Sequence, residues 1–310
     1  MKIAFVFPGQ GSQSVGMLDS FAGEAAAQDA IRRADAALGE PLSTLIAKGP
    51  ADDLALTVNT QPAMLTGAIA MYAAWRAFGG PLPAMVAGHS LGEYSALTAA
   101  GVFALEDAVR LVRFRAQAMQ DAVPVGTGTM AVILGLSDEQ VLAACAAGAQ
   151  GEVVEAVNFN APAQVVIAGH KGAVERACAE AKKLGAKRAM TLPVSAPFHS
   201  SLLKPASRRL AERLSEVQVN APQVPVINNI DVATESDPAR IRDSLARQAA
   251  GPVRWAEIIR RMAADGVTHV VECGPGKVLS GLTKRVVPTL ESLSISDADS
   301  LAATLAALKS

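Results

Sequence analysis

The sequence predicts an α/β fold: a mainly parallel sheet with helices on both faces, and a small ferredoxin-like unit inserted in mid-chain. Three observations point there. Short apolar runs alternate with stretches of helical spacing over most of the chain, the pattern of strands joined by crossover helices. Between residues 125 and 195 the order becomes β-α-β-β-α-β, which is the ferredoxin-like arrangement. Gly88-His89-Ser90-Leu91-Gly92 falls between an apolar run and an Ala/Leu-rich stretch, a strand–turn–helix placement. The expected organisation is a core built from residues 1–124 and 196–310, with residues 125–195 as the subdomain. A chain of 310 residues, 50% hydrophobic and 18% charged, is long enough for a sizeable core plus an insert, and it is not disordered.

Ile3 to Phe7 reads as the first strand, apolar throughout, as strands buried in parallel sheets are. Pro8-Gly9-Gln10-Gly11-Ser12-Gln13 follows at once. A Gly-rich loop after a strand either brings backbone amides up to a ligand or is a plain turn. It lacks the Lys-Ser/Thr ending of a phosphate-binding loop, and its glycines do not fit a dinucleotide fingerprint. Asp29 to Leu38 and Gln61 to Phe78 have helical spacing. Pro62 suits the first turn of the second, and Gly79-Gly80-Pro81 ends it. Ala84 to Ala87 is the strand before Ser90, and Gly101 closes the helix after it. Leu105 to Ala122 is a further helix, apolar at Leu105, Ala108, Val109 and Val112. Arg110, Arg113 and Arg115 share it, and a solvated face is the plain expectation for them.

Pro124 to Gly128 reads as a linker. Thr129 to Leu134 alternates as a strand. Ser137 caps a helix to Ala147, with Asp138 and Glu139 in its first turn. Val153 to Asn158 and Gln164 to Ala168 are strands joined by Phe159-Asn160-Ala161-Pro162. Lys171 to Leu184 is a helix stopped by Gly185, and Ala186 to Leu192 is the last strand of the insert. The chain returns through Pro193 to Ser200. Ser200 or Ser201 is expected to cap a helix to about Val217. Val224 to Asn228 is a strand. Asp237-Pro238 opens a helix to about Ala250, and Pro252 opens another to about Ala264. Val267 to Glu272 is a strand, and Cys273-Gly274-Pro275-Gly276-Lys277 turns into the last core helix.

The net charge of −1 indicates no general attraction to nucleic acid or to an anionic membrane. Local basic clusters remain as partner surfaces: Lys182-Lys183 with Lys187-Arg188, and Arg208-Arg209. Cys145, Cys178 and Cys273 are far apart and odd in number, which fits neither a metal site nor a disulfide framework. Cys145 and Cys178 read as small core residues. No apolar run is long enough to span a membrane, and the first strand is too short for a signal-peptide core. A reducing cytoplasm is the expected compartment.

Ser90 lies where a nucleophile elbow would put it. Glycine two before and two after the Ser allows a turn too tight for a Cβ, and the following helix offers backbone N–H groups to an oxyanion. The alternative is a Gly-rich turn with a buried Ser. A Ser nucleophile needs a base. His89 neighbours Ser90 and would point away from it. His170 lies at a loop of the insert, and His269 lies in an apolar strand, where a satisfied core histidine is expected. His199 sits in a Pro-bounded loop just before a helix, and is the candidate base.

These residues carry a resemblance. Phe7-Pro8-Gly9-Gln10-Gly11-Ser12-Gln13, Gly88-His89-Ser90-Leu91-Gly92-Glu93-Tyr94, Arg115 with Met119-Gln120, Pro197-Phe198-His199-Ser200 and Gly274-Pro275-Gly276 resemble the motifs of the malonyl-CoA:acyl carrier protein transacylases. The resemblance covers nearly the whole chain, in order. It implies an α/β-hydrolase-like core with a ferredoxin-like insert. It implies that Ser90 takes the malonyl group as an ester, and that His199 is its base and then the acid for the leaving thiol. The backbone N–H groups of Gln10 and Leu91 would form the oxyanion hole, and Arg115 would hold the free carboxylate of malonate. The Gln248 carbonyl would orient the His, and Asn158 and Asn160 would line the site. Ala116 departs from the Gly usual after the Arg. The implied partners are malonyl-CoA and acyl carrier protein, with no cofactor beyond the coenzyme A thioester and no metal. A monomer serving fatty-acid synthesis is expected, with polyketide synthesis as the alternative.

The chemistry is coherent. A malonyl carboxylate buried unpaired would cost several kcal/mol, and an Arg fork can hold both its oxygens where a Lys could not. Exchanging thioester for ester is nearly balanced, so the difficulty is keeping water out, which a lid between the two units could do. A serine hydrolase would share the elbow, but would ordinarily add an Asp or Glu behind the His and an apolar acyl pocket. A non-catalytic carrier-docking subunit is the other rival.

Overall fold

Ile3, Phe5 and Phe7 face one side of a sheet, Ala4 and Val6 face the other, and both sides are buried. That is why the first strand is apolar at every position. The computed structural model describes residues 1–309. Its core elements begin with β1 (Ile3–Phe7), α1 (Ala25–Leu38), α2 (Leu42–Lys48), α3 (Ala51–Ala55), α4 (Thr57–Ala77), β2 (Met85–Gly88), α5 (Gly92–Ala99) and α6 (Leu105–Asp121). The insert follows as β3 (Gly128–Leu134), α7 (Asp138–Ala149), β4 (Val154–Ala161), β5 (Gln164–His170), α8 (Lys171–Lys183) and β6 (Arg188–Thr191). The chain then continues with α9 (Lys204–Glu216), β7 (Val226–Ile227), α10 (Pro238–Gln248), α11 (Trp255–Ala264), β8 (His269–Cys273), α12 (Val278–Val286), β9 (Glu291–Ile295) and α13 (Ala298–Ala307).

Five core strands form one parallel sheet in the order β7-β2-β1-β8-β9. Helices cover both faces. Phe5, Phe7 and Val86 pack with α1, α4, α5 and α6, while Ala4, Val6, Met85 and Val270 pack with α11 and α12. Phe7 pairs with Gly88, so the loops leaving β1 and β2 emerge side by side at the carboxyl edge. That edge is where parallel α/β sheets form their crevices.

The second sheet is antiparallel, in the order β4-β5-β3-β6. Its β-α-β-β-α-β succession matches the expectation. α7 and α8 cover one face around Ile133, Val165 and Ile167. The other face, with Met130, Val157, Val166 and Ala168, packs against Val194 and Phe198 of the returning segment. Ser137 caps α7 through a full capping box with Gln140.

Several boundaries differ from expectation, each for a tertiary reason. α4 starts at Thr57, which puts Pro62 inside the helix rather than in its first turn. Pro62 has no N–H to offer the Val58 carbonyl one turn before it, so the helix forgoes one of its bonds there. β4 runs on through Ala161, so the hairpin turn is Pro162-Ala163, with Ala163 at φ 58°. α11 starts at Trp255, not at Pro252, because Val253 is drawn into strand-like pairing with Val157 and Phe159. Neither Ser200 nor Ser201 caps a helix with its side chain; the Ser200 hydroxyl donates back to the Pro197 carbonyl at 2.7 Å. His269 is not a core residue: it is half-buried and bonds the hydroxyl of Thr268 at 2.8 Å. Helices α2, α3 and α13 and strand β9 lie outside the elements that the sequence predicts.

Candidate active site

The elbow is as tight as its glycines suggest. A Cβ on Gly88 would fall 1.8 Å from the Gly92 carbonyl oxygen, and one on Gly92 would fall 2.0 Å from that of Phe7. Ser90 itself is held at φ 53°, a left-handed conformation uncommon outside glycine. Asn229, just after β7, keeps it there. Its Oδ1 accepts from the Ser90 N–H at 2.8 Å, and its Nδ2 donates to the Gly88 carbonyl at 2.7 Å.

His199 comes from the segment that re-enters the core after the insert, and it too is left-handed, at φ 66°. Its Nε2 lies 2.7 Å from Ser90 Oγ, and its Nδ1 lies 2.9 Å from the carbonyl oxygen of Gln248. A carbonyl can only accept, so Nδ1 carries the proton and Nε2 faces the Ser hydroxyl as an acceptor. Burial, with the nearby charge of Arg115 next in weight, pushes His199 down to about 3. The imidazole is therefore neutral and able to take a proton.

Arg115 departs from the plain expectation for its helix. Arg110 and Arg113 pair on the outside with Asp107 and Glu40. Arg115 is 1% exposed. It donates from Nη1 to Gln61 Oε1 at 2.8 Å, and from Nη2 to Gln248 Oε1 at 2.9 Å and Ser90 Oγ at 3.2 Å. Its guanidinium lies 5.4 Å from the centre of the Tyr94 ring. A buried cation pointing at a nucleophile is what a carboxylate-bearing acyl group requires.

Ser90, His199 and Arg115 open into a cavity of about 140 Å³, which Gln10, Leu91 and Asn158 also line. Met130, Leu192, Val194 and Phe198 supply its apolar wall from the insert and the returning segment. The His89 N–H donates to the Phe7 carbonyl at 3.0 Å, which ties the elbow to the strand leading into Gln10. Asn158 Oδ1 is buried without a hydrogen-bond partner. Asn160 corrects the expectation that it lines the cavity: its Oδ1 lies 2.8 Å from His89 Nε2, and it holds that ring away from Ser90. Gln61 and Asn229 also belong to the site. No motif marks them, because α4 and the end of β7 bring them to the site only in three dimensions.

Residues 4–306 match the family described as acyl transferase domain. The malonyl CoA-acyl carrier protein transacylase of Escherichia coli (strain K12) is 54% identical over 305 residues, 98% of this chain and 99% of that one. The chain belongs to this acyl transferase family. The malonyl CoA-acyl carrier protein transacylase of Bacillus subtilis (strain 168) is 44% identical to this acyl transferase, covering 99% of the chain and 98% of the relative. The crystal structure of the acyl-carrier-protein S-malonyltransferase from Burkholderia pseudomallei 1710b superposes with a TM-score of 0.97 at 63% identity, covering 99% of this chain and 100% of that one. A malonyl-transacylase solved with a type II PKS acyl-carrier protein gives a TM-score of 0.97 at 47% identity, over 99% and 100% of the two chains. No helix among the described residues is long and apolar enough to cross a membrane.

Proposed function

We propose that this acyl transferase moves a malonyl group from coenzyme A to the phosphopantetheine thiol of acyl carrier protein, by way of an ester on Ser90. The observation that carries the reading is Ser90 Oγ set between a neutral imidazole at 2.7 Å and a buried guanidinium at 3.2 Å. His199 Nε2 takes the hydroxyl proton as Ser90 attacks the thioester carbonyl. The backbone N–H groups of Gln10 and Leu91 receive the oxyanion. The tetrahedral intermediate collapses, and the imidazolium gives its proton to the departing sulfur of coenzyme A. The carrier thiol then enters by the same steps in reverse, with His199 again the base. The Gln248 carbonyl keeps the ring oriented throughout.

Arg115 fixes the other end of the acyl group. The malonyl carboxylate replaces Ser90 Oγ as the acceptor for Nη2 and takes the second hydrogen of Nη1. Asn158 Oδ1, buried and unpartnered, is available to an N–H of the pantetheine arm. Residues 125–195 serve as a subdomain that closes the cleft against the core of residues 1–124 and 196–310, keeping water from the ester. Coenzyme A acts as substrate, and the reaction asks for no cofactor or metal. The setting is fatty-acid synthesis in the cytoplasm, with the enzyme acting as a monomer. The relative solved with a type II PKS carrier makes polyketide synthesis the second reading.

Mass spectrometry of the whole protein after mixing with malonyl-CoA tests this. The expected result is a stable malonyl adduct on Ser90 that carrier protein removes. Rapid release of free malonate would make the protein a hydrolase, and no adduct at all would leave a docking role.

A further inference from the structure

Beneath the elbow lies a buried acid with no part in the transfer steps above. Glu93 sits in the first turn of α5 and is 1% exposed. Its Oε2 accepts from the Asn229 N–H at 3.0 Å and from Gln248 Nε2 at 2.9 Å. The same Gln248 carboxamide accepts from Arg115 Nη2 through Oε1, at 2.9 Å. One amide therefore spans the acid and the cation. The hydrogen bonds Arg115 makes among the described residues go to Gln61, Gln248 and Ser90, all neutral. A cation so deeply buried needs a counter-charge, and Glu93 is the acid placed to supply it.

The surroundings of Glu93 offer a route for a proton. Tyr94 adjoins it on α5, with burial and the charges of Arg115 and Glu93 acting on its phenol. Arg115 faces it from α6. Asp231, after β7, acts on it and is itself held by Arg247 at 2.6 Å. α10 presents the neutral Gln248. On the side away from Ser90, Glu93 lines a narrow recess with Leu97, Asn228 and Ser244. The recess reaches Glu235, which is 25% exposed and lies 3.7 Å from Arg240.

We propose that Glu93 is the exchangeable counter-charge of Arg115: above neutral pH it is ionised before the acyl group arrives, and it is protonated from solvent through this recess when a malonyl carboxylate settles on Arg115. The inference rests on the reading of Arg115 as the carboxylate holder. Glu93 is a positioning residue, acting on substrate only through Gln248 and Arg115. Burial raises its carboxyl to about 7, against the opposing pull of Gln248, Asn229 and Arg115. A substrate carboxylate on Arg115 weakens that pull, so the carboxyl rises further and a proton is taken up above neutral pH. Below neutral pH the acid already holds its proton, and binding draws none. Malonyl binding therefore weakens as pH climbs above 7, whereas a neutral acyl group feels no such effect.

Stopped-flow acylation of the whole enzyme in weak buffer with a pH indicator reads this directly. Near pH 8, wild type should take up a fraction of a proton per site with malonyl-CoA beyond that seen with acetyl-CoA, which carries the same coenzyme A. The KM for malonyl-CoA should rise above pH 7, by at most about tenfold per pH unit for a single linked proton, while that for acetyl-CoA does not. Glu93→Gln keeps an oxygen for Asn229 and Gln248 and should abolish both the uptake and the slope. Equal proton uptake from the two thioesters in wild type, a reading that needs no variant, would overturn the proposal. So would a pH slope that survives in Glu93→Gln. Arg115→Ala separates the two layers: if malonyl preference persists there, the underlying reading of Arg115 fails instead.

Discussion

Nη2 of Arg115 lies 3.2 Å from Oγ of Ser90, so the cation touches the nucleophile directly. The contact sets a length. An acyl group esterified to that oxygen must fold its far end back onto the same guanidinium, and a short dicarboxylic acyl unit can do so.

Replacing Arg115 by Ala should cut malonyl transfer by more than about 3 kcal/mol, roughly a hundredfold or more in kcat/KM, as expected when one side of a buried ion pair is lost. The preference for malonyl over acetyl should collapse with it. Comparison of kcat/KM for the two thioesters checks this, and an unchanged preference would refute the assignment. Arg115→Lys should recover only part of the loss, because an ammonium cannot hold both oxygens in a fork.

The pH dependence of Ser90 acylation follows from His199. Its folded-state value of about 3 lies below the ordinary 6.5, so the ring is already an unprotonated base at pH 5. At saturating thioester, the acylation rate should show no step between pH 5 and 8. A tenfold fall per pH unit below about 6 would mean that the imidazole titrates normally. The same shift bears on stability. The unfolded chain takes a proton on His199 as pH drops through 6.5 and the folded chain does not, so this residue's stabilising share fades from there down towards 3.

Asn229→Ala should damage turnover more than binding. It leaves the Ser90 N–H and the Gly88 carbonyl without their partners, at about 1–3 kcal/mol for each buried group unsatisfied. The strained turn would relax and Ser90 Oγ would drift from His199. Kinetics should show kcat falling at least tenfold with KM for malonyl-CoA changed little. A variant with full kcat would show that the glycines alone maintain the elbow.

Carrier docking is expected to be electrostatic. Lys187 and Arg188 are exposed on the edge of the insert's sheet, whereas Arg209 is already engaged with Asp121 and the Phe114 ring. Raising ionic strength should raise the KM for carrier protein, and Lys187→Glu with Arg188→Glu should do the same at low salt. A KM insensitive to salt would remove the basic patch from consideration.

The legible parts of this molecule are those whose cause is local. The β1 strand, the capping box at Ser137 and the strand–turn–helix around Ser90 each follow from residues close together in sequence. The unread parts depend on distant contacts. Arg115 falls three residues past Val112, beside the apolar face of its helix and apart from Arg110 and Arg113, but its partners Gln61 and Gln248 come from α4 and α10 and are not written in that spacing. Asn160 neighbours the cavity in sequence terms, yet the continuation of β4 turns it to His89. The start of α11 slips to Trp255 because Val253 is claimed by β4, a pairing that no helix-start signal records. Glu93 belongs to the motif around Ser90, but its burial depends on Gln248 of α10 reaching it on α5.

The proton on His199 Nδ1 rests against a peptide carbonyl, not a carboxylate. A carboxylate would deepen the well for the imidazolium and let protonated enzyme linger. With only a dipole behind it, the imidazolium is stabilised less, and in the proposed transfer it would hand its extra proton on readily to the leaving sulfur. Neither thiol is favoured by that arrangement. Under the proposed transfer, net flux would follow the ratio of each thioester to its free thiol, and the enzyme would behave as a turnstile that swings either way.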